Sequence, residues 1–481
     1  MFIVNSKKSR SDIHVENNKI GCIADMHSID YRKPALFVTT LGAFLSSFMG
    51  SSVNIALPSI GREFAMDAIL LGWVTTSYLL SVAIFLIPFG RIADIHGRKK
   101  IFLYGFVIYT VSSLFCAISS SPLFLISARA VNGIGVSMTF STGVAILTSI
   151  YPPGERGKVL GINVAAVYSG LSCGPFLGGL LTHHFGWRSI FLMNIPLGIL
   201  IIMLTLWKLK GEWTEAKGER FDFLGSLLFS MTLVAVMVGF SMLPRLGGIS
   251  FLLLGVLGAY LLVKWESGTE SPLFHMDLFR KNRIFALSNL AALINYSATF
   301  AVSFLMSLYL QFVKGLAPQE AGLILIAQPI MQAIFSPLAG RLSDRIEPRM
   351  VASIGMGLTA LGLFLFTFLN QETTLSFIIG TLLLLGFGFA LFSSPNTNAV
   401  MGSVDKKFYG VASATLSTMR STGMMFSMGV AMLIFAILIG RAQVTPAYYS
   451  HFMKSVKVAF TVFTGVCAAG VFASLSRGKI R

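Results

Sequence analysis

The chain has 481 residues, of which 54% are hydrophobic and only 12% charged. A water-soluble domain is about a quarter charged, so folding in water is excluded and the bilayer is the solvent. The net charge of +17 fits basic residues retained in cytoplasmic loops rather than a nucleic-acid surface, and no nucleic-acid partner is expected.

In chain order, a polar N-terminal stretch comes first. It holds no apolar signal-peptide core, and residues 1–33 are expected to form a solvated, disordered cytoplasmic tail. About 20 apolar residues cross the hydrocarbon core as a helix. Adequate stretches run 34–61, 68–90, 101–128, 130–154, 159–182, 189–207 and 223–244, then 246–263, 284–313, 321–340, 350–371, 373–404, 408–440 and 458–476. The third stops at "SSSP" (119–122), after which the fourth helix is expected to start early, and the thirteenth is interrupted only by Arg420.

With the N-terminus inside, the inner segments hold 28 Lys and Arg and the outer loops hold 7. This bias puts both termini in the cytoplasm. The expected fold is an all-α, multi-pass protein of the cell membrane with fourteen transmembrane helices, its lipid-facing surface in contact with the bilayer. Cys22, Cys116, Cys173 and Cys467 are scattered, without CxxC or metal-ligand spacing, so neither a disulfide framework nor a metal site is expected.

A repeat organises the chain. "PFGRIADIHGR" (88–98) and "PLAGRLSDRIEPR" (337–349) both place Gly-Arg-x-x-Asp after a proline-bearing apolar helix. Both lie between the second and third helix of a block of six. The implied layout is a six-helix half over 34–207, a linker over 208–283 carrying two inserted helices, a second half over 284–476 and a tail over 477–481. Two facing bundles with a midplane site between them make a transporter architecture.

The loop "GRIADIHGRKKIF" (90–102) resembles the inner-loop motif of the major facilitator superfamily, Gly-x-x-x-Asp-Arg-x-Gly-Arg-Lys. Gly90, Asp94, Gly97, Arg98 and Lys99 match, and Ile95 replaces the usual arginine. The resemblance implies a latch in which the aspartate caps a helix of the other half and pairs with a nearby arginine. Gly340, Arg341 and Asp344 would be its second copy. A carboxylate at a helix N-terminus contributes roughly 0.3–1 kcal/mol when exposed and up to ~2 when partly buried.

"GINVAAVYSGLSCGPFLGG" (161–179) is similar to the antiporter motif of proton-coupled drug exporters, matching it at Gly161, Gly170, Gly174, Pro175, Gly178 and Gly179. Small residues let helices approach closely, and Pro175 removes a helical hydrogen bond. "RAVNGIG" (129–135) resembles the family's Arg-x-x-x-Gly-x-Gly, where the arginine is associated with proton movement or substrate contact. "WRSIFLMNIPLG" (187–198) and "SSVNIALPSI" (51–60) resemble further motifs of the fourteen-helix drug:proton antiporter branch, a multidrug efflux group. The resemblance implies a monomeric secondary transporter that exports amphipathic small molecules by proton antiport. No catalytic cluster or phosphate loop of the Gly-x4-Gly-Lys-Ser/Thr type is seen, so neither enzyme chemistry nor a cofactor is expected.

One departure matters. Met49 stands where the branch has a helix 1 aspartate, and all 20 acidic residues sit in the tail, loops or helix ends. Two arginines, Arg129 and Arg420, remain in the spans; an arginine there is costly and marks a functional candidate. The cargo is therefore expected to be neutral or anionic, with one of these arginines as its electrostatic partner. The other candidate cavity residues are the polar groups Asn54, Asn132, Asn295, Gln328, Gln332, Asn396 and Asn398, with Met419, Met424, Met425 and Met428 as flexible apolar contacts. For each Asn or Gln, helix–helix hydrogen bonding is an equal alternative. Exchange or import of a metabolite is the alternative function.

Overall fold

The computed structural model describes the backbone of residues 10–219, 221–269, 272–274, 276–405, 408–440 and 442–478, with side chains from residue 32 onward except at 153 and 154. Among these residues, 14 helices are long and apolar enough to cross a membrane. The first half contains α1 (Arg32–Glu63), α2 (Ala68–His96), α3 (Arg98–Ala117), α4 (Pro122–Ile150), α5 (Glu155–Phe185) and α6 (Arg188–Lys208). The inserted pair is α7 (Phe223–Met242) and α8 (Leu246–Glu266). The second half contains α9 (Arg283–Val313), α10 (Pro318–Arg345), α11 (Pro348–Phe366), α12 (Leu375–Gly402), α13 (Tyr409–Leu438) and α14 (Pro446–Ser476).

Local chemistry explains the boundaries. Asp67, Ser121, Asp222, Asn282 and Thr374 each accept a hydrogen bond from the backbone N–H three residues on, satisfying an open donor of the helix that follows. Prolines open α4, α10, α11 and α14, where a missing N–H does no harm. The third span ends at Ala117 and the fourth starts early, at Pro122, as the break at 119–122 predicts, because Ser121 and Pro122 together form a start signal. One expectation is corrected. The segment expected to be a disordered tail is helical from Arg10 and continuous with α1. No proline interrupts it before Pro34; residues 1–9 lie outside the described residues.

Packing repeats between the halves. In the first, α1 lies on α5, α2 on α4, and α3 on α4 and α6; in the second, α9 lies on α13, α10 on α12, and α11 on α12 and α14. The halves meet along two seams, α2 against α13 and α5 against α10, and α1 also packs on α9 at the outer end. The inserted helix α7 covers the first seam by packing on both α2 and α13. There Phe240 meets Phe426 edge to face, with ring centroids 6.5 Å apart. Its partner α8 turns Leu253, Leu257 and Tyr260 outward, an apolar face suited to lipid.

The seams are tight at the outer end. A Cβ on Gly179 of α5 would sit 2.5 Å from the Pro318 carbonyl oxygen of α10, and Gly322 presses on the Pro175 carbonyl. Thr76 of α2 lies under Met432 of α13, Oγ1 to Sδ 3.8 Å. At the inner end, Gly161 of α5, Gly402 of α12 and Gly410 of α13 face open space, with nothing within 4 Å of a would-be Cβ. Hydrogen bonds between the halves gather at the outer end, Ser307 to Asn54 O, Gln311 to Ile55 O and Gln443 to Ala65 O, with Tyr168 and Ser393 further in, the arrangement of an inward-facing form.

Candidate functional site

Between the halves, near mid-span, α13 presents Arg420. Its Nη2 donates to Thr397 Oγ1 of α12 at 2.6 Å, its guanidinium lies 5.7 Å from the Tyr296 ring of α9, and its buried Nε has no partner among the described residues. Tyr296 packs edge to face against Phe389 of α12, centroids 5.1 Å apart. From the other half, the Tyr168 hydroxyl of α5 shares a 3.1 Å hydrogen bond with Ser393 of α12. A half-buried cation, aromatic faces and hydroxyls from both halves thus converge where the inner opening ends. Sequence reasoning picked out Arg420 but missed Tyr168, Tyr296, Phe389, Ser393 and Thr397. Extending the search for polar side chains in apolar spans from Asn and Gln to Tyr, Ser and Thr would have found four of these.

Arg129 occupies a different environment. It is fully buried among α2 and α4, where Nε donates to the Val74 carbonyl at 3.2 Å, Nη1 to Asn132 Oδ1 at 3.4 Å, and the guanidinium lies 4.3 Å from the Tyr78 ring centroid. Nη2 has no partner among the described residues. Asn132 is spent on α3, donating to Tyr109 O, Ser112 and Ser113. In this form Arg129 belongs to the interior of the first half, not to the opening.

The other candidates divide similarly. Asn54 accepts from Thr75 through its side chain. Asn396 donates to Ser288 O and accepts from Arg477, and Asn398 donates to Ser343, so both are helix ties. Asn295 is buried with neither amide atom bonded among the described residues. Gln332 is buried, and the Gln328 carbonyl lies against Gly386. Met425 and Met428 are fully buried, while Met419 and Met424 are half-buried. Arg477, overlooked from the sequence, is buried at the inner end. Its Nη1 reaches Asn396 Oδ1 at 2.6 Å and Ser288 at 3.2 Å, and its Nη2 the Pro348 carbonyl at 3.3 Å. Burial pulls its pKa down to about 10.

On α5 the glycine series is used as a docking stripe. Gly170, Gly174 and Gly178 abut Phe44–Phe48, Ser51 and Ser52 of α1, and Gly179 abuts α10. Gly161, expected in the same stripe, faces the inner opening.

The inner loop is arranged differently from the expected latch. Arg98 binds Asp94, Nη2 to Oδ1 2.7 Å, and also Glu215 Oε1 at 2.7 Å and the Ala145 carbonyl at 3.1 Å. Lys99 N–H donates to Glu212 Oε1 at 2.7 Å, and Arg91 pairs with Glu219. Two backbone hydrogen bonds of 3.0 Å, Arg98 N to Trp213 O and Ala216 N to Asp94 O, complete the junction. Gly97 turns the chain at φ +120°, and a Cβ there would stand 2.5 Å from Glu212 Cδ. The partners of Asp94 among the described residues are thus Arg98 and the α6–α7 connection, not a helix N-terminus of the other half, because the inner ends have parted. In the second copy, Arg341 and Asp344 are exposed at the inner end of α10. Gly90 and Gly340 hold equivalent places, against Ser141 of α4 and Ser394 of α12.

The sequence profile of the Major Facilitator Superfamily matches residues 39–263 and 288–478. The chain belongs to this superfamily. It is 31% identical over 442 residues to the riboflavin transporter RibZ of Clostridioides difficile (strain 630), covering 91% of this chain and 95% of that protein. It is 33% identical to the multidrug resistance protein Stp of Mycobacterium tuberculosis (strain CDC 1551 / Oshkosh), over 81% of this chain and 73% of that one. The cephamycin export protein CmcT of Amycolatopsis lactamdurans is 30% identical, over 82% and 83%. These relatives and the fourteen spans place it in the drug-efflux branch of the superfamily. Among solved structures, a bacterial homologue of the human lysosomal transporter Spinster, in an inward-facing and unoccupied conformation, matches with TM-score 0.66 at 16% identity, covering 93% of this chain and 97% of that one. This superfamily transporter therefore has the facilitator fold, as a multi-pass membrane protein.

Proposed function

We propose that this transporter exports small amphipathic organic compounds by alternating access, in antiport with protons, and that its cargo is neutral or anionic. The carrying observation is Arg420: a guanidinium at the meeting point of both halves, its Nε without a partner among the described residues, flanked by the Tyr296 ring and by hydroxyls. Such a group attracts carboxylates and carbonyl acceptors and disfavours a desolvated cation. Relatives named as multidrug-resistance and export proteins support the direction.

Transport into proteoliposomes under imposed pH gradients, with anionic, neutral and permanently cationic dyes, tests this reading. Anionic and neutral dyes should move, and Arg420→Ala should reduce their transport at least tenfold, about the 1.4 kcal/mol of one charge-assisted hydrogen bond. Robust, Arg420-independent export of cations would refute it. A second reading, exchange of a neutral or anionic metabolite, draws on the relative named a riboflavin transporter; flux indifferent to every imposed gradient would favour it.

A further inference from the structure

The outer closure joins one irregular turn from each half. In α1, Pro58 has no N–H to give the carbonyl of Asn54, four residues earlier, and its ring crowds that carbonyl. An unbonded carbonyl in a buried helix is costly. Here it is satisfied from the other half: the Ser307 hydroxyl of α9 donates to Asn54 O at 2.7 Å. Immediately beyond, α9 widens into a π turn over Tyr309–Val313, a distortion that recurs at functional sites. Gln311 in that turn donates from Nε2 to Ile55 O at 2.9 Å and to Ser307 Oγ at 3.1 Å. Ser307, Gln311 and Asn54 are all buried. The Oε1 of Gln311 has no partner among the described residues, so the arrangement is not one of best satisfaction for Gln311 alone.

We propose that the Asn54 carbonyl freed by Pro58, held by Ser307, is the outer gate bond of this transporter, that Gln311 supports it by bonding Ser307 and the adjacent Ile55 carbonyl, and that these two side chains set the balance between inward- and outward-facing forms. The proline makes the α1 carbonyl available and the π turn aims its donors. Outward opening transfers Asn54 O from a hydroxyl to entering water, so the bond is a reversible toll on each cycle rather than a fixed weld. The inference rests on alternating access but not on the identity of the cargo.

The test uses the full chain with its four native cysteines replaced and Thr76→Cys introduced. Position 76 is sealed under Met432 in this form and becomes reachable from outside only when the gate parts. Labelling by a membrane-impermeant maleimide added outside is followed in intact cells. Ser307→Ala should raise the labelling rate about five- to tenfold, the equivalent of one buried hydrogen bond, and Gln311→Ala should act in the same direction. Ser307→Thr, which keeps a hydroxyl, should restore the parent rate. In a Pro58→Ala chain, whose Asn54 carbonyl regains a helical donor, Ser307→Ala should change labelling by less than about twofold, the sign of a coupled pair. An unchanged rate in Ser307→Ala, or the same increase with and without Pro58, overturns the assignment. Failure of alternating access reads differently: position 76 would then stay unlabelled in the parent and in every variant.

Discussion

Arg477 shows what a buried charge does when it serves the scaffold. Its guanidinium joins α14 to Ser288 of α9, Asn396 of α12 and the first carbonyl of α11, all in the inner part of the second half. Removing one partner of such a set leaves the others desolvated and unpaired. Arg477→Met is expected to lower stability by roughly 2–4 kcal/mol, read as a fall in Tm of the purified protein in detergent. Arg420→Met, by contrast, removes a half-buried group whose guanidinium makes one hydrogen bond among the described residues, to Thr397. It should leave Tm nearly unchanged while abolishing anion transport. The pair separates a structural arginine from a working one. Their sequence surroundings do not distinguish them: each follows a run of apolar and small residues, and only the three-dimensional partners tell which is which.

At the level of a helix, α5 carries two kinds of glycine. Gly170, Gly174, Gly178 and Gly179 sit against neighbouring backbone or serines, whereas Gly161 meets open space. Gly174→Ala and Gly179→Ala should each destabilise the inward-facing form, since the added methyl meets Ser51 or the Pro318 carbonyl. Gly161→Ala should change Tm little, within the ±0.5 kcal/mol usual for an uncrowded surface position. If Gly161 serves the closure of the inner end, the same substitution should slow transport without loss of stability, measurable as turnover in proteoliposomes against Tm. The motif was legible in the sequence because its spacing is fixed by helix geometry; what was not legible is that its last member docks on the opposite half while its first waits unengaged. Spans were legible for a similar reason, since lipid demands continuous apolar runs. Their ends depend on caps such as Ser121 with Pro122, which the break at 119–122 already marked in the sequence. The midplane site was half visible. An arginine in an apolar span announces itself, but the tyrosines and hydroxyls around it resemble ordinary packing residues until α5, α9, α12 and α13 are brought together.

For the molecule as a whole, the acidic α6–α7 connection is the part composition concealed. Glu212, Glu215 and Glu219 look like loop solubility in the sequence, yet they receive the Lys99 backbone N–H and the Arg98 and Arg91 side chains in order along one junction. Arg98 is buried while Glu215 is largely exposed, so the pair is partly screened by solvent. A double-mutant cycle of Arg98→Gln and Glu215→Gln should give a coupling near ~1 kcal/mol, read from Tm and shrinking as salt rises. A coupling of zero would mean that the two backbone bonds alone hold the connection in place.

The junction also decides what moves with what. Tied by charges and backbone to the α2–α3 turn, the inserted hairpin is expected to travel with the first six helices, leaving its packing on α13, Phe240 on Phe426 and Met237 beside Gly429, to slide. Under the proposed alternating access, the rocking bodies would be unequal, eight helices against six. A fluorophore on α8 should hold its distance to one on α3 throughout the cycle, while its distance to one on α14 lengthens and shortens with each turnover.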